Sequence, residues 1–249
     1  MKKDKVLQYI LLFVLMIFII LIYQGKSIPQ DLSYHHFADD CNHFGIPNFW
    51  NCITNLPFLL CGIIFFKLTK ISDSFLRSIS FLMGIGFILT GFGSAYYHLD
   101  PNNKTLVWDR IPMTIVFVSF FLLLVYQYVS RTIARYLLIP LIISGILSVI
   151  YWIYTEFQGN GDLRWYIIIQ FYPLIATLII IVSKWNSLRE KYWILLALFF
   201  YVLAKIFEIQ FDDLLFKYYN FSGHSIKHLF SACSGLSLYY WLKKISNIN

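Results

Sequence analysis

Long apolar runs set the strongest limit on what this chain can fold into. Each run is close to the roughly 20 residues that an α-helix needs to cross the hydrocarbon core of a bilayer. The polar segments between them are short, so consecutive helices should pack as antiparallel neighbours. Hydropathy predicts eight spans, approximately at residues 6–23, 49–68, 78–98, 110–129, 136–155, 164–183, 191–211 and 225–242.

The overall composition agrees with this interpretation. Hydrophobic residues make up 59% of the 249 positions, and charged residues only 13%. A soluble domain of this length would carry more charge on its surface. We therefore predict an all-α, multi-pass integral membrane protein.

The first span follows the charged start "MKKDK". Its apolar stretch is longer than the core of an ordinary signal peptide, and no small-residue cleavage motif follows it. We expect an uncleaved transmembrane anchor. If it were cleaved, seven helices would remain.

The basic residues are concentrated at one end of the predicted helices. The net charge is +7, which in a soluble protein would suggest a nucleic-acid partner. Here most of the basic residues fall in the loops that share a side with the N-terminus, and the positive-inside rule places that side in the cytoplasm. Both termini are thus expected to be cytoplasmic, and no nucleic acid is needed to explain the charge. These residues are Lys2, Lys3, Lys5, Lys67, Lys70, Arg77, Arg131, Arg135, Lys184, Arg189, Lys191, Lys243 and Lys244.

All six histidines fall at the opposite, extracytoplasmic ends of the helices. His224 and His228 stand four residues apart at the start of the eighth span, on one helical face. His98 ends the third span at the same membrane depth, so the three rings could supply the three protein ligands of a catalytic zinc and leave a fourth position open. The alternative is that these are interfacial histidines bonded to water and lipid headgroups.

Two further polar residues accompany His98. Ser94 lies one turn before it, as either a site residue or a hydroxyl bonded back to its own helix. Asp109 opens the fourth span in "VWDRIPM", where a carboxylate could cap the helix or accept a proton from a metal-activated water.

A second polar cluster lies in "AKIFEIQFDD". Lys205, Glu208 and Asp212 follow helical spacing and are expected to form one stripe on the seventh span. Their roles stay open between internal charge neutralisation and orientation of a histidine ligand. Lys227, which stands between the histidine pair, could find a partner among these acids.

The motifs "NFWNCITNLPF", "GSAYYH", "WDRIPM" and "GHSIKHL", taken together, resemble the alkaline ceramidase family, particularly its bacterial ceramidase-like branch. That family belongs to a superfamily of seven-helix membrane hydrolases that includes adiponectin-receptor-like proteins. The similarity runs from about residue 35 to about residue 243.

The resemblance implies a seven-transmembrane-helix bundle, here with one extra N-terminal transmembrane helix. It implies an anchor segment over residues 1–30 and a catalytic domain over residues 31–249. It also implies a zinc ion held by the residues at His98, His224 and His228, a water activated by that ion beside Asp109, and an oxyanion stabilised by Ser94. The reaction would be hydrolysis of the ceramide amide into a sphingoid base and a fatty acid.

One segment departs from the family pattern. Animal alkaline ceramidases carry an acidic calcium-binding stretch here, whereas this chain has Asn42 and Asn48 at positions where acids would fall. Asp39 and Asp40 remain, but calcium takes six to eight oxygen ligands. We therefore do not expect a calcium site.

The sequence thus favours a zinc-dependent lipid amide hydrolase whose substrate enters sideways from the bilayer. A non-enzymatic zinc-containing receptor or regulator is the alternative, and a zinc with four protein ligands would support it. A cation transporter would need polar residues that continue to the inner face, where most spans are apolar. The oligomeric state and the acyl length of the substrate stay open.

Overall fold

The protein folds as a set of α-helices. The structure, a computed structural model, describes the backbone of residues 2–246 and the side chains of residues 5–68 and 70–246. Within these ranges there are ten α-helices, two short 3₁₀ helices and no β-strand. The helices are α1 (Lys2–Tyr23), α2 (Phe49–Ile53), α3 (Leu56–Phe65), α4 (Ser74–Leu99), α5 (Asn103–Tyr128), α6 (Arg131–Phe157), α7 (Arg164–Lys184), α8 (Lys191–Gln210), α9 (Asp212–Tyr219) and α10 (Gly223–Ile245).

Seven spans within residues 2–246 are long and apolar enough to cross a membrane, which confirms the all-α membrane fold. They correspond to the first seven spans that hydropathy predicts. The eighth predicted span lies in α10, which has 23 residues but falls outside this set. Two histidines, three lysines and four serines lower the hydropathy of α10, and the first part of this helix belongs to the polar cluster described below.

The helices group into two compact units. One contains residues 1–30 and 114–189, and in it α1 packs along α7, where the Tyr172 hydroxyl donates to the Leu11 carbonyl. The other contains residues 31–113 and 190–249, with α3 packed on α4 and α8 packed on α10. Every predicted site residue belongs to this second unit. The proposed division at residue 30 into an anchor and a catalytic domain stays a prediction.

Helix α5 begins earlier than the sequence predicts, at Asn103 rather than near residue 110. The Asn102 side chain accepts hydrogen bonds from the backbone N–H groups of Lys104 and Thr105, and so starts the helix before the apolar run. Asp109 consequently lies inside the helix, and the interpretation of this residue as a helix cap was wrong.

The predicted stripe of Lys205, Glu208 and Asp212 is also broken. Helix α8 ends at Gln210, and Phe211 leaves the helical conformation with φ −121° and ψ 5°. Asp212 therefore opens a separate short helix, α9, which the hydropathy pattern does not reveal because its apolar residues are interrupted by charged ones.

Gly93 allows α4 and α5 to approach each other closely. A Cβ atom at this position would collide with the carbonyl group of Trp108, immediately before Asp109. The absence of a side chain at Gly93 thus brings the backbone of Asp109 against the turn of α4 that carries Ser94.

Gly93→Ala should destabilise the protein by about 1–3 kcal/mol, since the obstructing backbone of α5 cannot rotate away as a side chain would. The thermal unfolding midpoint in detergent measures this effect. Gly25→Ala is the matched control, because no heavy atom lies within 4 Å of a Cβ at that position. Equal midpoints for the two variants would contradict the close packing of α4 on α5.

Candidate metal centre

Three imidazole rings meet at one end of the second unit. The ring centroids of His98, His224 and His228 are 4.9, 5.0 and 5.1 Å apart, so they form a nearly equilateral triangle. One nitrogen from each ring lies within 4.8 Å of the others. Their residues are only 1, 4 and 2% exposed, which excludes interfacial histidines solvated by bulk water.

The helix ends bring these rings together. His98 lies in the last turn of α4, whereas His224 and His228 lie in the first two turns of α10. The end of one helix therefore meets the start of the other, as the sequence predicts. His35, His36 and His43 also lie toward this end of the chain's helices, but they are not members of the cluster.

Thr54 fixes the orientation of His228. The Thr54 hydroxyl donates to the Trp50 carbonyl at 2.6 Å and lies 2.9 Å from Nδ1 of His228. Because its own proton is already used, the hydroxyl must accept the proton of Nδ1, and this leaves a lone pair on Nε2. That Nε2 atom is buried and has no hydrogen-bond partner among the described residues.

His98 is held by packing and through its backbone. Neither of its ring nitrogens has a hydrogen-bond partner within residues 2–246, although both are buried. The Phe37 ring lies edge-on against His98 and His224, with centroids 4.6 and 4.5 Å away, and the Asn48 amide donates to the His98 carbonyl. Buried imidazole nitrogens without partners are costly, and a bound cation would satisfy them.

The start of α10 is attached to its neighbours by three side chains. Ser222 caps the helix, and its hydroxyl and that of Ser225 lie 2.9 and 2.8 Å from Oδ1 of Asn51. The Asp212 carboxylate accepts the backbone N–H of His224 at 2.7 Å and that of Ala38 at 3.2 Å. Burial raises the pKa of the Asp212 carboxyl, although these two hydrogen bonds oppose that shift.

Gly223 makes this attachment possible. A Cβ atom here would collide with the carbonyl of Phe207 at the end of α8. Without one, the first turn of α10 lies directly against the junction of α8 and α9.

Ser94 and Asp109 form a pair beside the histidines. Both are buried, and the Ser94 hydroxyl lies close to the Asp109 carboxylate across the contact between α4 and α5. The positive charges of Lys227 and Arg110 act on the same carboxylate. The Ser94 hydroxyl therefore lies against a residue of the neighbouring helix.

Lys227 does find an acidic partner. Its Nζ atom lies 2.9 Å from Oε1 of Glu208, and Oε2 of the same carboxylate lies 2.6 Å from Lys205. Two acids could orient a histidine ligand. The Asp212 carboxylate accepts the backbone N–H of His224, whereas Glu208 is linked to the His224 ring only by way of Lys227.

Several residues that contribute to the site were missed in the sequence. Thr54 and Tyr97 lie within the motifs "NFWNCITNLPF" and "GSAYYH" but were not predicted as site residues, and neither were Phe37 and His35. The Tyr97 hydroxyl lies 2.8 Å from Nδ1 of His35. Only the position of Thr54, three residues beyond Asn51 in the polar face of "NCITN", could have indicated it.

The donor set fits a divalent metal ion. Tetrahedral zinc with nitrogen ligands at about 2.0–2.1 Å places those nitrogens about 3.3 Å apart, which is inside the 4.8 Å limit within which the three ring nitrogens lie. Three imidazoles also favour zinc over the hard cations calcium and magnesium. Asp39 is one of the two acids that remain in the segment considered for a calcium ion. It is fully buried, and its carboxylate accepts hydrogen bonds from the backbone N–H groups of Cys41 and Asn51.

Comparison with known proteins agrees with this geometry. Residues 44–246 match the sequence profile of the family described as Ceramidase. No curated protein and no solved structure matches the chain.

Thr54→Val should weaken zinc binding by roughly 10- to 100-fold, because His228 loses the acceptor that orients it. Titration of the metal-free protein with zinc against a chromophoric chelator measures this affinity. Thr90→Val is the matched control, since the Thr90 hydroxyl is also buried but has no partner among the described residues. If the two variants bound zinc equally well, Thr54 would not orient His228.

Proposed function

The chain belongs to the ceramidase family, and from that premise we propose that it is a zinc-dependent intramembrane hydrolase. It cleaves ceramide, or a similar long-chain lipid amide, with one water into a fatty acid and an amine. The observation that carries this proposal is the buried triangle of His98, His224 and His228 beside the pair of Ser94 and Asp109.

The three histidines would hold the metal through one nitrogen each. When bound, zinc supplies Lewis-acid activation of both the water and the amide carbonyl. The chain's own residues then have to orient the amide and move protons.

Asp109 is suited to proton transfer. Its carboxylate is buried on α5 close to the Ser94 hydroxyl, which can donate a hydrogen bond to it. It would accept a proton from the attacking water and return it to the amide nitrogen, which leaves as the free amine.

Ser94 would donate a hydrogen bond from its hydroxyl group to the carbonyl oxygen of the substrate as negative charge develops on that oxygen. A hydroxyl has one proton, so it cannot serve Asp109 and the substrate at once. Once Asp109 is protonated, it is a weaker hydrogen-bond acceptor than the carboxylate was. The Ser94 hydroxyl is then available to the substrate when the oxyanion forms.

The substrate enters sideways from the bilayer. The site lies at the end of the second unit opposite Lys67, Lys70, Lys243 and Lys244, so the positive-inside rule assigns it to the extracytoplasmic leaflet and the termini to the cytoplasm. An amide at the headgroup level would reach the histidines while its acyl chain stays in the hydrocarbon.

A structural zinc in a receptor is the competing hypothesis. The cluster has three members, and among the described residues no fourth histidine, cysteine or acid joins it. This arrangement supports a site with an open position, which catalysis requires.

Purified protein in detergent should release fatty acid from ceramide, as measured by mass spectrometry. His228→Ala should lose both bound zinc and hydrolysis, whereas His43→Ala, at an exposed histidine outside the cluster, should keep both. Hydrolysis by a zinc-free His228→Ala protein would rule out the ligand assignment.

Asp109→Asn and Ser94→Ala should separate chemistry from metal binding. We expect kcat to fall by roughly 10²- to 10⁴-fold for Asp109→Asn and roughly 10²- to 10³-fold for Ser94→Ala, with zinc content unchanged. Unchanged kcat in either variant would remove that residue from the mechanism.

The orientation can be tested with reporters fused to the C-terminus. A green fluorescent protein fusion should fluoresce and an alkaline phosphatase fusion should be inactive, because the C-terminus is assigned to the cytoplasm. The reverse pattern would contradict the assigned orientation.

A further inference from the structure

Lys227 touches a proposed metal ligand. Its Nζ atom lies 3.0 Å from Nε2 of His224 and 2.9 Å from Oε1 of Glu208. The lysine side chain is 17% exposed and that of Glu208 only 10%, so the ion pair is largely shielded from water.

The contact between Lys227 and His224 excludes a metal ion. A lysine ammonium has only protons to donate, so Nε2 of His224 accepts with its single lone pair. A metal bound at Nε2 needs that same lone pair. A metal bound at Nδ1 instead requires a proton on Nε2, which would then face the ammonium group. In either case the metal and Lys227 cannot occupy His224 together.

Glu208 provides the Lys227 ammonium group with a second interaction partner. Its two carboxylate oxygens are divided between Lys227 and Lys205, at 2.9 and 2.6 Å. When Lys227 leaves His224, its charge stays paired with Glu208 and is not left unpaired near a divalent cation, where like charges repel.

We propose that Lys227 and Glu208 set the metal affinity of the site: the Lys227 ammonium competes with the metal for His224, and Glu208 draws it away. This inference rests on the proposed function for the identity of the metal ligands. It adds two positioning residues that act on the metal through His224.

Three variants test the competition by zinc titration of the chelator-stripped protein. Lys227→Met should bind zinc roughly 10-fold more tightly, because nothing then competes for His224; Glu208 keeps Lys205 as its partner. Glu208→Gln should bind zinc roughly 10-fold more weakly, because Lys227 retains His224 as its strongest partner. The double variant should resemble Lys227→Met.

Lys205→Met is the matched control. Like Lys227→Met, it removes one positive charge beside the Glu208 carboxylate, but it keeps the contact between Lys227 and Glu208. Its zinc affinity should change much less than that of Lys227→Met, which separates a direct contact from a general effect of charge. Lys227→Gln provides a second neutral variant, and gel filtration confirms that each protein is folded.

The inference is overturned if Lys227→Met and Lys227→Gln bind zinc no more tightly than the wild type, or if the double variant resembles Glu208→Gln. Zinc affinity is measured without substrate, so the result does not depend on catalysis. If the variants show the expected order of zinc affinities but the protein hydrolyses no lipid amide, that result counts against the proposed function alone. A wild-type protein that binds no zinc would overturn both.

Discussion

Buried imidazole nitrogens without protein partners are the constraint around which this site is organised. His98 and His228 expose such nitrogens to one another inside the protein, and His224 completes the triangle. Leaving a buried polar atom unpaired costs about 1–3 kcal/mol, so a fold that gathers several of them needs a compensating interaction. A shared divalent ion would provide it for all three rings at once. The remaining features of the second unit serve to hold the rings in place.

Each ring is held in a different way. A hydroxyl fixes the tautomer of His228, aromatic packing by Phe37 supports His98, and Lys227 contacts His224. The backbone is fixed as well, because Asp212 and the serine cap attach the start of α10, which Gly223 allows to come close. Under our proposal for Lys227, this difference between the rings confines the adjustment of metal affinity to His224.

The sequence predicts the parts of this arrangement that depend on helix position. Hydropathy locates the ends of the membrane helices, and a spacing of four residues places His224 and His228 on one face, so convergence with His98 at one depth follows. The helix start at Asn103 and the short helix α9 were missed, because they depend on local side-chain capping and on a break at Phe211. The contact of Thr54 with His228 depends on side-chain conformations in two distant segments, which no local pattern encodes, whereas the pairing of Lys227 with an acid was predicted.

The most direct test of the central claim is X-ray absorption at the zinc edge on the purified wild-type protein. One zinc per chain, surrounded by three imidazole nitrogens at about 2.0–2.1 Å and one oxygen ligand, is the result that this account predicts. A zinc environment without the imidazole signature, or with sulfur ligands, would contradict it.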